Sequence, residues 1–170
     1  ISTKMKILKS LTNHVDQLII GGALANTCFK ALGKNIGKSL YEEASVDLAK
    51  TIIEDKKILL PSYVVVTKGR DSNSQEKHID EVEDDDIIFD IGQSAIEDFS
   101  KYINSAKTII WNGPMGYFEE ERFAKGTAGI ALKISESSGY RIIGGGETLA
   151  SFSNLNIDLL GLSPISYFFM

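Results

Sequence analysis

The sequence predicts an α/β fold in which helices cover both faces of a parallel β-sheet, giving a three-layer sandwich. Two observations predict this class. Short apolar runs alternate along the whole chain with amphipathic segments of helical period, which is typical of β-loop-α units. Three of these units also share one form, in which an isoleucine-rich strand leads through a glycine-bearing loop into a helix. They read LIIGGALANTCFK, TIIWNGPMGYFEEERFAKG and RIIGGGETLASFS.

The first part of the chain supplies three predicted helices and two predicted strands. The helical spacing of Met5, Leu8 and Leu11 predicts a helix over residues 2–13. The apolar run 17–20 predicts a buried strand, and Gly33 ends the next helix, 23–33, as a C-terminal cap. A strongly periodic segment predicts a helix over 40–56. The run 57–68 is typical of a strand, with Pro61 at a break or an edge.

The second part of the chain begins with a polar and acidic stretch, 68–86, which we expect to be exposed and to form a hairpin. The run 87–92 predicts a strand and 93–106 a helix. Residues 107–116 predict a strand that breaks into a Gly-Pro loop, followed by a helix over 123–138. The last unit, 140–153, gives a strand, a loop and a helix. Together these elements predict a Rossmann-like sheet, whose ligand crevice lies at the carboxyl ends of the strands.

The composition limits the class of protein. The chain has 170 residues, enough for one domain or a piece of a larger protein, and it carries 18 Lys and Arg against 23 Asp and Glu. The net charge of -5 argues against nucleic acid as a partner. Cys28 is the single cysteine, which fits a reducing compartment, and no apolar run is long enough to cross a membrane. The sequence starts ISTKMKIL, so its first residue is not an initiator Met. We therefore expect a cytoplasmic protein and a cut inside a longer chain.

The three consecutive glycines 144–146 predict an anion-binding loop. A glycine loop that leads into a helix presents unpaired backbone N–H groups, and the missing Cβ atoms let a phosphate come close. Glu147 and Thr148 follow directly. A carboxylate beside a phosphate suggests a bridging Mg²⁺. It is equally consistent with an acid that stabilises a helix N-terminus, and the loop alone does not decide between the two.

Two other motifs are weaker. GKNIGKS, residues 33–39, has one residue too few between its first glycine and the GK pair for a P-loop, and it follows a helix instead of a strand. We interpret it as a loop between helices. A dinucleotide-binding domain is disfavoured because Leu149 stands where the third glycine of the G-x-G-x-x-G fingerprint belongs.

Several motifs together resemble the phosphoglycerate kinase family. TIIWNGPMGYFE is followed by FAKGT and IIGGGET, and the earlier ISTKMKIL, IIGGALANTCFK and IGKSLYEE occur in the family's order. The resemblance is to the C-terminal, nucleotide-binding domain and runs from residue 1 to about residue 163. It implies that residues 1–170 are this domain. It also implies that the N-terminal domain, which binds 3-phosphoglycerate, and the final segment are absent.

The resemblance also implies roles for individual residues. Lys4, Gly145 and Gly146 would act on the transferring phosphoryl group, Glu119 would bind the ribose hydroxyls, and Glu147 would contact Mg²⁺. The residues implied to bind ATP or ADP are Lys4, Gly22, Ala23, Leu40, Asn112, Pro114, Glu119, Gly145, Gly146, Glu147 and Thr148. The family moves a phosphoryl group between ATP and the carboxylate of 3-phosphoglycerate in glycolysis. We expect a monomer whose isolated nucleotide domain is inactive.

The sequence departs from the family pattern at several positions. Ala23 replaces a loop glycine, Glu147 replaces an aspartate, and Ile88 replaces a glycine that borders the base. The end, LSPISYFFM, differs from the family's S-H-V-S-T-G-G-G-A. These departures support an alternative hypothesis, a degenerate domain without catalysis that has a structural or interaction role.

Overall fold

The computed structural model describes residues 2–69, 71–154 and 163–164, with the side chains of 2–4, 147, 152–154 and 163–164 outside the description. Its helices are α1 (Ser2–Leu11), α2 (Gly22–Ala31), α3 (Val46–Ile53), α4 (Gln93–Ser105), α5 (Lys125–Glu136) and α6 (Gly146–Asn154). Its strands are β1 (Leu18–Ile19), β2 (Ile58–Leu59), β3 (Tyr63–Thr67), β4 (Gln75–His78), β5 (Ile87–Ile91), β6 (Thr108–Asn112), β7 (Tyr140–Gly144) and β8 (Ser163–Pro164). Short 3-10 turns lie at Glu43–Ser45, Ile79–Glu81 and Glu121–Phe123. The tail that departs from the family pattern, 165–170, falls outside the described residues.

Each strand that precedes a glycine loop lies in a parallel pair, although these pairs belong to two separate small sheets. Strand β1 pairs with β2, with Leu18 opposite Ile58. Strand β7 lies between β6 and β8 and is parallel to both, with Trp111 opposite Ile143 and Ile143 opposite Pro164. The α/β class with helix-flanked parallel strands is therefore confirmed.

The middle of the chain adds a sheet that the all-parallel prediction did not contain. Strand β3 lies between β4 and β5 and is antiparallel to both. The connection from β3 to β4 covers residues 68–74, which is too short for the crossover that a parallel pair needs. The acidic stretch 68–86 contributes only one strand, β4, of the hairpin expected there, because its partner β3 belongs to the apolar run before it. The break at Pro61 separates β2 from β3.

Two apolar clusters hold these elements together. The first joins α4 and α5 to β6 and β7 through Phe99, Ile130, Trp111 and Ile143. The second packs α2 and α3 against β3, with Phe29, Ile52, Val64 and Val66 almost fully buried. Among the described residues, no helix has the length and apolar character that a membrane span requires.

Candidate functional site

The three predicted glycine loops follow β1, β6 and β7, at the carboxyl end of each strand. Each contains one glycine in the left-handed region, Gly22 with φ 60°, Gly113 with φ 93° and Gly145 with φ 94°. Residues with a side chain rarely adopt this backbone conformation. Chain geometry at the end of each strand therefore explains why the sequence has glycine there.

The first and second loops are bonded to each other. The Gly22 amide donates to the Met115 carbonyl at 3.0 Å. A Cβ atom at Gly22 would lie 3.7 Å from the Pro114 carbonyl oxygen. Ala23, the next residue, lies in the first turn of α2, and its carbonyl accepts the Thr27 hydroxyl at 3.0 Å. The structure thus brings Gly22, Ala23 and Pro114 to one place.

The second and third loops are joined by Thr148. Its hydroxyl oxygen accepts from the Gly113 amide at 2.6 Å, and the hydroxyl donates to the Gly144 carbonyl at 2.9 Å. The side chain is fully buried, with 0% exposed. A Cβ atom at Gly145 would lie only 3.0 Å from Asn112 Oδ1, so the Asn112 side chain also lies against the third loop. The Thr148 hydroxyl is therefore engaged between the second and third loops.

The third loop leads into α6, and the N-terminal end of this helix is exposed to solvent. The Leu149 amide donates to the Gly145 carbonyl at 3.2 Å, as the first turn of a helix requires. Helix geometry leaves the amides of Gly146, Glu147 and Thr148 without an acceptor inside α6. Gly145 and Gly146 are exposed, and a Cβ atom at Gly146 would meet no described atom within 4 Å. This end of α6 has the geometry of an anion-binding site.

The remaining predicted residues lie around these loops or outside the described side chains. Glu119 is exposed in the segment that follows the second loop. Leu40 is 69% exposed, and its carbonyl accepts from Asn26 Nδ2 on α2 at 3.0 Å, which ties it to the helix after the first loop. The side chains of Lys4 and Glu147 are outside the description. The carboxylate of Glu147 is chemically suited to Mg²⁺ beside a phosphate.

Two further predictions concern the segments between the loops. Residues 33–39 form a loop, as predicted, which docks on β5 through the Lys38 amide to Asp86 O at 2.8 Å and the Ile88 amide to Ser39 Oγ at 2.8 Å. No helix starts within this described segment, so it does not have the geometry of a P-loop. Ile88 itself packs against the second apolar cluster.

Sequence reasoning missed Asp90, which lies on β5 and is only 3% exposed. Asp90 Oδ2 accepts from the Gly126 amide at 2.6 Å, and Oδ1 accepts from the Ile91 amide at 2.9 Å. Burial raises the pKa of this carboxyl to about 7, although the two backbone bonds act in the opposite direction. An aspartate inside the apolar run IIFDI was the signal that could have identified it.

Glycine loops that contact one another, at the carboxyl ends of parallel strands, define the class of α/β domains with a ligand crevice at that edge. The comparisons with known proteins give the family. The phosphoglycerate kinase model matches residues 1–166. The phosphoglycerate kinase of Vibrio campbellii (strain ATCC BAA-1116) is 43% identical over 159 residues, 92% of this chain and 41% of that protein. This chain belongs to the phosphoglycerate kinase family.

Solved structures agree with this assignment. The phosphoglycerate kinase from Coxiella burnetii matches with a TM-score of 0.91 and 40% identity, over 97% of this chain and 44% of that one. The enzyme from Pyrococcus horikoshii OT3 matches with a TM-score of 0.81 and 25% identity, over 95% of this chain and 43% of that one. The chain therefore spans less than half the length of these relatives.

Proposed function

We propose that this chain binds Mg-ATP or Mg-ADP as the nucleotide half of a phosphoglycerate kinase. That enzyme transfers a phosphoryl group between 1,3-bisphosphoglycerate and ADP. The observation that carries the proposal is the bonding among the loops, from the Gly22 amide to Met115 O and from the Gly113 amide to Thr148 Oγ1. Loops held together in this way keep the exposed start of α6 in a fixed place. A fixed set of backbone donors suits phosphoryl transfer, which depends on positioning and charge neutralisation.

The proposed contacts divide the nucleotide into three parts. The amides of Gly145, Gly146, Glu147 and Thr148 would hold the phosphates, with Lys4 adding a positive charge. Gly22, Ala23, Leu40, Asn112 and Pro114 would border the base. Glu119, an exposed acid, would accept hydrogen bonds from the ribose hydroxyls. Mg²⁺ bound with the nucleotide would neutralise phosphate charge, and Glu147 would hold it.

The whole reaction needs a second substrate site. We propose that residues 1–170 act together with an N-terminal 3-phosphoglycerate domain of the same protein, in a cytoplasmic monomer. The 170 residues assayed alone would then bind nucleotide without appreciable turnover. A coupled phosphoglycerate kinase assay checks this, and turnover by the chain alone would contradict it.

Calorimetric titration of the chain with Mg-ADP tests nucleotide binding. We expect millimolar or tighter affinity, weakened about 10-fold in Glu119→Ala because charge-assisted hydrogen bonds to the ribose are lost. Glu121→Ala is the matched control, since it removes the same charge from an exposed position of the same segment and should bind normally. Absence of binding heat at any concentration would instead favour the degenerate, non-catalytic domain.

A further inference from the structure

Asp90 caps helix α5, which has no side-chain cap from its own N-cap residue. Gly126 is the second residue of α5, and Ala124, at the N-cap, has no side-chain hydrogen bond to the helix. The Asp90 carboxylate reaches over from β5 and accepts the Gly126 amide at 2.6 Å. A side-chain oxygen that accepts from the second helical amide performs the work of an N-cap, and a carboxylate also favours the positive end of the helix dipole.

The same carboxylate lies against a second backbone position earlier in the chain. A Cβ atom at Gly116 would lie 2.3 Å from Asp90 Oδ1, and one at Gly126 would lie 2.1 Å from the same oxygen. Neither residue has a φ in the left-handed region, so backbone conformation does not explain these two glycines. Close approach of the Asp90 carboxylate does.

Gly116 lies within, and Gly126 two residues after, the segment that we call the 113–124 loop. Pro114 and Glu119, both proposed nucleotide contacts, belong to this loop. Other bonds that hold it include those from the Tyr117 amide to Phe89 O at 2.7 Å and from the Met115 amide to Thr127 Oγ1 at 3.1 Å. Arg122 also donates to Ser72 O at 2.9 Å, but Asp90 is the buried carboxylate that lies against Gly116 and accepts from Gly126.

We propose that Asp90 is a positioning residue for nucleotide binding, which fixes the 113–124 loop at Gly116 and the start of α5 at Gly126 and so sets where Glu119 meets the ribose. This inference rests on the proposed function. Asp90 is buried and does not itself touch the ligand. The start of α6 is bonded to the 113–124 loop at the loop's first residue, where the Gly113 amide donates to Thr148 Oγ1. Asp90 instead acts at Gly116 and Gly126, on either side of Glu119, so we assign Asp90 to the nucleoside side of the site.

Affinities for Mg-ADP and for Mg-pyrophosphate distinguish the nucleoside side of the site from the phosphate side, because pyrophosphate has no nucleoside. Asp90→Asn keeps the shape, but its amide group faces one of the two backbone donors, so one hydrogen bond is lost. We expect about 10-fold weaker Mg-ADP binding and less than about 2-fold change for pyrophosphate. Asp98→Asn is the control, because Asp98 is an exposed acid on α4 paired with Lys101, and both affinities should stay the same.

Each result has one meaning. Equal losses for both ligands, or no loss for either, overturn the positioning role while leaving nucleotide binding intact. A wild-type chain that binds neither ligand overturns the proposed function and this inference with it. If the circular dichroism spectrum shows that Asp90→Asn does not fold, Gly116→Ala replaces it. That variant places a methyl group 2.3 Å from Asp90 Oδ1 and 2.6 Å from Phe89 O, so the loop must shift away from this strand, and the same ADP-selective loss is expected.

Discussion

Removing the Thr148 hydroxyl should loosen the connection between the second and third glycine loops. Thr148→Val keeps the β-branched shape but abolishes the bonds to the Gly113 amide and the Gly144 carbonyl, which measure 2.6 and 2.9 Å. The side chain is fully buried, so a methyl group in place of the hydroxyl offers these two groups no partner.

The expected cost follows from those two groups. A buried polar group without a partner costs about 1–3 kcal/mol, and Gly113 and Gly144 are both only half-buried, which lets water replace part of each lost bond. We therefore expect Thr148→Val to lower the free energy of unfolding by about 2–3 kcal/mol. Thr148→Ser keeps the hydroxyl and removes one buried methyl group, which costs about 1 kcal/mol.

Urea unfolding of the two variants, followed by circular dichroism, isolates the hydroxyl. Thr148→Val should unfold at a clearly lower urea concentration than Thr148→Ser, and the free energy of unfolding should depend on urea concentration with a similar slope in both variants. If the two free energies agree within about 0.5 kcal/mol, or if the serine variant is the weaker, the hydroxyl does not hold the loops together and the reasoning fails.

Three further predictions concern the core and its charges. Phe123→Ala should lower the free energy of unfolding by about 3–5 kcal/mol in urea titrations, because Phe123 is 0% exposed and stacks on Phe89 with ring centroids 4.7 Å apart; a loss under about 1 kcal/mol would contradict this packing. The pKa of Asp90 is raised to about 7 in the folded chain, so between about pH 4 and 7 the folded chain holds a proton that the unfolded chain has lost. The free energy of unfolding should therefore fall as pH rises through this range, by up to about 1.4 kcal/mol per pH unit. Asp90→Asn should lack this component when urea unfolding is compared at pH 5 and 8, and an unchanged pH slope would refute the assignment. Lys77→Met should cost about 2–3 kcal/mol in the same assay because Lys77 is the ion-pair partner of the fully buried Asp86 at 2.7 Å. The control Lys101→Met removes an exposed ion pair and should cost clearly less, and equal costs would show that burial does not matter here.

Local pattern was enough to predict the glycine loops and the strands before them. Strand identity in IIGG, TIIWN and RIIGG follows from short apolar runs bounded by glycine, and parallel strands carry such loops to one edge. The start of the helix predicted over 40–56 was wrong, because α3 begins only at Val46. Long-range contacts explain this: Leu40 O and the Glu42 amide are bonded to Asn26 and Thr27 of α2, which holds these residues in non-helical backbone. Bonds of this kind leave no periodic trace in the sequence.

The pattern of apolar and polar residues in the sequence did not reveal the role of Asp90 either. A single aspartate in an apolar strand is ambiguous, since an isolated charge there is costly unless something pairs with it. Besides the adjacent Ile91 amide, it accepts from the amide of Gly126, 36 residues further along the chain, and lies against Gly116, 26 residues further along. Only the fold shows that these glycines are there to admit a carboxylate, while those of the β1, β6 and β7 loops are there for the backbone turn.

The structure suggests a division between side chains and backbone at this site. Thr148 and Asn112, which sequence reasoning assigns to the nucleotide, have side chains that lie against neighbouring loops. The groups that remain directed away from the protein at the third loop are main-chain amides at the start of α6. Because those amides do not depend on side-chain identity, Glu147 in place of the family's aspartate would, under the proposed function, change how Mg²⁺ is held without changing the proposed phosphate donors. The same argument makes Thr148 and Asp90 more sensitive positions than Glu147 for the geometry of the site.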